Sequence, residues 1–154
     1  MKRIIITGAI LLSSLLSLNA VAQMSDEDAA KAVASRQAVF KLLAFSNGPL
    51  GGMARGGDFD LDTALEAAER VQMLAGMIPG LFAADTTGNS GISTRSADSI
   101  WAGQDSFASL AQDLADGAAA AIEILNTQGA SGVRAAVGQI GPKCGACHDQ
   151  YRLD

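Results

Sequence analysis

Both cysteines and the only histidine of the 154-residue chain lie within five consecutive positions, Cys144-Gly145-Ala146-Cys147-His148. This C-x-x-C-H spacing is the attachment signature of c-type haem, in which two thiols add to the haem vinyl groups and the histidine coordinates the iron. On a helix, positions 144, 147 and 148 share one face. The motif therefore predicts one covalently bound haem c, held by Cys144, Cys147 and His148.

Other chemical roles for these three residues fit the sequence less well than haem attachment does. A structural zinc site normally needs four Cys or His ligands, and the chain has three. A redox-active C-x-x-C is expected beside a βαβ pattern, but strand signals are nearly absent here. A simple disulfide would explain the cysteines and leave the histidine without a role. Zinc, redox dithiol and disulfide are thus the weaker alternatives to haem attachment.

The overall charge excludes one broad class of function. The chain has 11 Lys and Arg against 16 Asp and Glu, which gives a net charge of −5. Nucleic-acid binders obtain most of their affinity from Lys and Arg that neutralise phosphates, and no basic run occurs in this sequence. The length fits one domain. We therefore expect a single domain with no nucleic-acid partner.

The N-terminal segment has the features of a secretory signal peptide. Lys2 and Arg3 precede a mostly apolar run over 4–18, and residues 20–22 read Ala-Val-Ala, a small-x-small cleavage signal. The run is too short to span a bilayer, which takes about 20 apolar residues. We expect cleavage after Ala22, a mature domain of 23–154, export to the periplasm and no membrane association afterwards.

Hydrophobic periodicity predicts four helices and no strands. The first runs over about 26–45, capped by Ser25 and ended by Asn47-Gly48-Pro49. The second begins near Asp60, which is its N-cap candidate, and ends near 77–78. The third spans about 97–126. Ser131 caps the fourth, in which Pro142 costs about 3 kcal/mol and predicts a kink or a restart. This pattern indicates an all-α, antiparallel, up-down-up-down four-helix bundle.

A C-terminal C-x-x-C-H on the last helix of such a bundle resembles the cytochrome c′ family, the class II c-type cytochromes. Further residues match that family's pattern: two on the first helix, a pair before the third helix, two aromatic residues on the third helix and a pair after the motif. The resemblance implies that these residues contact the haem: Arg36, Gln37, Thr94, Arg95, Trp101, Phe107, Tyr151 and Arg152.

The sixth iron position decides what such a haem does. With one histidine in the chain, ligation by two histidines is excluded. In methionine-ligated relatives of cytochrome c′ the methionine lies close to the Arg-Gln pair, but here no methionine occurs between Met24 and Met53. Phe40 occupies that region, and its ring can neither ligate iron nor donate a conventional hydrogen bond. We therefore expect Phe40 to cover an open iron face.

The resemblance implies a five-coordinate haem that binds NO and CO. It also implies that the protein is capable of electron transfer with an unidentified redox partner and that it forms a homodimer through the first two helices. The alternative function is a dedicated electron-transfer cytochrome of a respiratory or photosynthetic chain. An enzyme such as a peroxidase is disfavoured because the chain has no second histidine and no obvious acid-base residue near Phe40. We therefore expect a protein that is not an enzyme.

Overall fold

The computed structural model describes residues 24–154. This part of the chain folds into four long helices and one short helix. The signal-peptide prediction falls on residues outside this range and stays a prediction. A short 3₁₀ turn, Gly129–Gly132, precedes the last helix. In chain order the helices are α1 (Asp26–Ala54), α2 (Leu61–Leu81), α3 (Ser99–Ala102), α4 (Gln104–Gln128) and α5 (Val133–Tyr151).

The four long helices form the antiparallel bundle that the sequence predicts. Helix α1 packs on α2, α2 on α4, α4 on α5, and α5 returns to α1. Small side chains line several of these contacts, so the helix axes approach closely. Of the helices in residues 24–154, none is long and apolar enough to cross a membrane. The fully buried side chains at the bundle centre include Ala64, Ala67, Val71, Ala118, Ala121, Leu125 and Ile140.

Two of the three predicted helix caps are confirmed. The Ser25 hydroxyl accepts a hydrogen bond from the Asp28 amide at 3.2 Å, and the Asp60 carboxylate accepts one from the Thr63 amide at 2.7 Å. The predicted cap at Ser131 is wrong. Ser131 lies in the 3₁₀ turn and donates its hydroxyl hydrogen to the Gln128 carbonyl, so α5 begins without a side-chain cap.

The predicted end of the first helix at Asn47-Gly48-Pro49 is also wrong, because α1 continues through Pro49 to Ala54. Proline removes the hydrogen bond to the carbonyl four residues earlier, here that of Phe45, whose side chain is 76% exposed. The continuation buries Leu50 completely. Burial of a leucine stabilises by about 1.5–3 kcal/mol, which offsets most of the proline cost.

Helix α5 likewise runs without a restart through Pro142, so the predicted restart is wrong. The hydrogen bond lost at Pro142 would have gone to the carbonyl of Gly138, and both residues lie on the solvent-exposed side of α5. Water can satisfy a carbonyl there at little cost. The uninterrupted helix matters for function, because the C-x-x-C-H motif then lies on the same helix as Ile140, which is buried in the core.

The remaining two boundaries also differ from the predictions. The predicted third helix is split at Gly103 into α3 and α4. Helix α2 passes through Pro79 and ends at Leu81 instead of near 77–78. Phe82, directly after α2, and residues 94–96 of the segment before α3 line a cavity at one end of the bundle, together with most of the predicted site residues.

Candidate functional site

A cavity of about 570 Å³ opens at this end of the bundle, where α1 and α5 pack least closely against each other. Cofactor and ligand sites commonly have volumes of 300–1,000 Å³ and mostly apolar walls. Side chains from all four long helices and from the segment 94–96 line it. Its apolar lining includes Val33, Phe40, Leu43, Val71, Ile78, Phe82, Ile100, Phe107, Leu110, Leu114 and Ile140.

The three residues of the motif line this cavity together. Cys144, Cys147 and His148 lie within about one turn of α5 and share the face that lines the cavity, as their spacing predicts. Both cysteines are free and half-buried. Two thiols and one imidazole facing a single apolar cavity fit a haem bound through its vinyl groups and its iron.

Local electrostatics set the protonation of these groups. Burial raises the pKa of the Cys144 thiol; burial and, to a lesser extent, the neighbouring Cys144 raise the pKa of the Cys147 thiol. Partial burial lowers the pKa of the His148 imidazole most, and Arg152 lowers it further, while Asp149 opposes the shift and Arg95 adds to it. The lowered pKa favours neutral imidazole, which is the form that binds metal.

Across the cavity from α5, Phe40 on α1 also lines the wall. Its ring meets that of Phe82 edge-on, with the centroids 6.1 Å apart. Phe82 in turn lies 4.8 Å from Phe107, and Phe107 lies 5.2 Å from Tyr151. Four aromatic rings thus form a continuous row from the α1 side of the cavity to the α5 side.

Sequence reasoning missed Phe82, although a signal for it exists. The apolar stripe of α2 runs through Val71, Leu74 and Ile78, and Phe82 is the next position of that stripe. The Pro79-Gly80 pair hides this signal, because a proline followed by a glycine predicts that the helix ends before them. Because Phe82 is 2% exposed and contacts Phe40, Phe107 and the predicted residue Trp101, it is the centre of the aromatic row.

Arg36 also lines the cavity, but its guanidinium faces the segment after α2. Nε donates to the Leu81 carbonyl, Nη1 to the Thr86 hydroxyl and Nη2 to the Ala84 carbonyl, over 2.5–2.9 Å. The side chain is 2% exposed. Burial lowers the pKa of Arg36, and the charge of Asp85 opposes this. Arg36 therefore fastens α1 to the segment that carries Phe82.

Trp101 is the predicted site residue that the structure does not bring to the cavity lining. Its ring lies behind Phe82, with the centroids 6.1 Å apart. The indole Nε1 donates to the carbonyls of Phe82 at 3.1 Å and of Ala84 at 3.0 Å. Trp101 thus supports the wall from outside.

The other predicted residues surround the open end of the cavity. Gln37, Thr94, Arg95, Tyr151 and Arg152 all line it. The chain end pairs with the segment 95–97 through hydrogen bonds from the Leu153 amide to the Arg95 carbonyl at 2.8 Å and from the Ala97 amide to the Tyr151 carbonyl at 2.9 Å. These bonds hold the two arginines near each other at the mouth.

None of the methionines in residues 24–154 lines the cavity. Met73 and Met77 lie on the exposed side of α2, and Met53 packs partly buried against the core. Phe40 is one of the α1 side chains that line the cavity, and it has no atom that can ligate iron.

A family model described as cytochrome C′ matches residues 31–152. The chain belongs to the cytochrome c′ family. It is 32% identical to the cytochrome c′ of Cereibacter sphaeroides over 146 residues, covering 94% of this chain and 97% of that protein. This match and the bundle described above confirm the predicted family, and the protein is a c-type haem protein.

Solved structures of cytochrome c′ share the fold. The cytochrome c′ from Rhodobacter Spheriodes superposes with a TM-score of 0.74 at 30% identity, covering 82% of this chain and 98% of that one. The nitric oxide complex of a mutant cytochrome c prime from Alcaligenes xylosoxidans gives a TM-score of 0.68 at 25% identity, covering 86% of this chain and 100% of that one.

Proposed function

We propose that this cytochrome c′ is an exported, periplasmic protein, not an enzyme, that binds NO and CO at a five-coordinate haem. Cys144 and Cys147 would hold one haem through thioether bonds, and the His148 imidazole would bind its iron. When bound, the haem supplies an iron that takes diatomic gases. The single observation that carries the proposal is that these three residues and Phe40 line one cavity that no methionine of residues 24–154 reaches.

The residues of the chain determine which ligands can enter. Phe40 places an apolar ring on the α1 wall and offers no hydrogen bond to a bound ligand. A polar Fe–O₂ unit needs such a donor more than CO or NO does. The relative from Alcaligenes xylosoxidans has been solved as a nitric oxide complex, which supports NO as a ligand of this site.

The optical spectrum of the purified ferrous protein tests this function. We expect a high-spin spectrum that changes on addition of CO or NO. A sharp low-spin spectrum that CO leaves unchanged would show a sixth protein ligand and contradict the open site. Replacement of both cysteines by serine should give a haem that acidified organic solvent extracts, whereas haem of the unmodified protein should stay with the chain.

We also propose that the protein is a homodimer that associates through α1 and α2. Large apolar side chains are exposed on both helices: Leu42 and Phe45 on α1, and Met73 and Met77 on α2. Exposed apolar side chains grouped in this way are typical of association surfaces. Sedimentation of the protein and of Phe45→Lys tests the surface, because a dimer that this substitution leaves intact would place the interface elsewhere.

A further inference from the structure

Charge is distributed very unevenly around the cavity. The chain has a net charge of −5 and 16 acidic residues, all of them within residues 24–154, yet no Asp or Glu lines the cavity. Five basic residues do line it: Arg36, Lys41, Arg95, Lys143 and Arg152. An acidic protein therefore carries a concentrated positive charge at this one opening.

Four of these five cations are available to an outside partner. Arg36 is buried and bonded to the segment after α2. Lys41, Arg95 and Arg152 are exposed and Lys143 is half-buried. The ion pairs found within residues 24–154 involve Lys31 and Arg70, and none involves these four. Lys41, Arg95, Lys143 and Arg152 are called the basic rim below.

The geometry of the basic rim is fixed by the backbone. Arg95 and Arg152 lie on two chain segments joined by an antiparallel bridge between Ser96 and Arg152. The Nε of Arg95 donates to the Leu153 carbonyl at 2.9 Å. These bonds hold two like charges close together without a carboxylate in the cavity lining between them.

A haem in the cavity would not use up this charge. Its two propionates can neutralise two of the four cations, which leaves two charges of the basic rim unneutralised within the cavity lining; Asp149, whose charge acts on His148, lies outside that lining. Charges interact over about 8 Å at physiological ionic strength, so a partner that approaches the mouth responds to the basic rim more than to the net charge of the protein. Such a local field guides a charged partner to one orientation.

We propose that the basic rim is a docking surface for an acidic patch on a redox protein, which exchanges one electron with the haem at this opening. The proposal rests on the proposed haem function. It gives the electron-transfer capacity a defined location on the molecule and a defined partner chemistry.

The ionic-strength dependence of electron transfer tests the docking surface. The ferric holoprotein is reduced by iron(II)–EDTA, which is an anion and loses one electron to the haem, or by hexaammineruthenium(II), which is a cation and does the same. We expect the rate with the anionic probe to fall as salt is added and the rate with the cationic probe to rise. The opposite signs, which the net charge would produce, would overturn the proposal.

Two lysines of α1 provide a matched pair of variants. Lys41 belongs to the basic rim, whereas Lys31 is exposed and paired with Glu27 at 2.7 Å. Lys41→Gln should lower the low-salt rate with iron(II)–EDTA roughly sixfold, the scale expected for one unit charge acting on this dianion over about 8 Å in water. Lys31→Gln removes the same net charge and should leave the rate unchanged. Equal effects of the two substitutions would contradict a local surface.

A protein-sized acidic probe separates docking from binding of small anions. Poly-L-glutamate should compete with iron(II)–EDTA at low salt, and more weakly for Lys41→Gln. Absence of competition would show a site for small anions and overturn the docking surface. A purified protein without haem absorption would contradict the proposed haem function instead, so the two failures are distinguishable.

Discussion

The guanidinium carbon of Arg36 lies 4.7 Å from the centroid of the Phe82 ring. The same guanidinium lies 5.1 Å from the Trp101 ring and bonds to three acceptors of the segment 81–86. Cation–π attraction and the three hydrogen bonds act on one loop, and that loop presents Phe82 to Phe40. One buried charge therefore sets the position of the α1-side wall of the cavity.

Loss of the Arg36 guanidinium should destabilise the protein and loosen this wall. In Arg36→Met, acceptors of the 81–86 segment lose their donor inside the fold, which should lower the free energy of unfolding by about 3 kcal/mol. Urea unfolding measures this. Arg134→Met is the control, because exposed Arg134 makes a single hydrogen bond to the Ala54 carbonyl. Equal decreases in the free energy of unfolding of the two variants would mean that the three hydrogen bonds of Arg36 add no stability.

Removal of the Phe40 ring should speed the entry of CO. In Phe40→Ala the ring between the α1 wall and the cavity is gone, and we expect CO association with the ferrous protein to accelerate about tenfold, equivalent to ~1.4 kcal/mol of barrier. Flash photolysis measures the rate. Phe45→Ala on the same helix is the control, since Phe45 is exposed and outside the cavity. Unchanged kinetics in Phe40→Ala would remove Phe40 from the ligand path.

Much of this site can be predicted from the sequence, because it depends on the periodicity of single helices. Helical spacing alone places Cys144, Cys147 and His148 on one face, and the gathering of these residues with Phe40 follows from two amphipathic helices that share a core. The helix end predicted at Asn47-Gly48-Pro49 is wrong because burial of Leu50 offsets the local cost of the proline. The restart predicted at Pro142 is wrong because the carbonyl that the proline leaves unpaired is on the solvent-exposed side of α5. Local propensity does not contain that information.

Other features depend on contacts between distant parts of the chain. The hydrogen-bond partners of Arg36 lie 45 to 50 positions further along the chain. The sequence of α1 therefore does not predict that Arg36 holds the segment 81–86 in place. The basic rim is also non-local, since Arg95 and Arg152 come together only when the chain end pairs with the segment before α3, and Lys41 reaches the same cavity from α1. The sequence contains no basic run from which the basic rim could be predicted.

The contact between α4 and α5 depends on Gly117. A Cβ added there would lie 2.5 Å from the Gln139 carbonyl oxygen, so Gly117→Ala must push the two helices apart. We expect a loss of about 1–3 kcal/mol in stability, as for other overpacked sites. Gly138→Ala on α5 meets nothing within 4 Å and should stabilise by about 0.5–1 kcal/mol. Thermal unfolding measures both; a stable Gly117→Ala would mean that the helices tolerate the wider spacing.

Attachment of the haem should change how stability depends on pH. The raised pKa values of Cys144 and Cys147 mean that the folded, haem-free chain holds these thiol protons more tightly than the unfolded chain. Their contribution to stability is complete below the pKa of the unfolded thiol, and is lost as the pH rises through the folded value. We therefore expect urea unfolding of the haem-free protein to become easier from neutral to alkaline pH.

Thioether formation removes both thiol protons, so this part of the alkaline loss should disappear in the haem-bound protein. Cys144→Ser/Cys147→Ser is the control for other titrating groups, because serine does not titrate in this range. The haem-free protein should lose more stability with rising pH than this double variant does. Parallel pH profiles for the two would show that the thiols titrate in the folded chain as they do in the unfolded one.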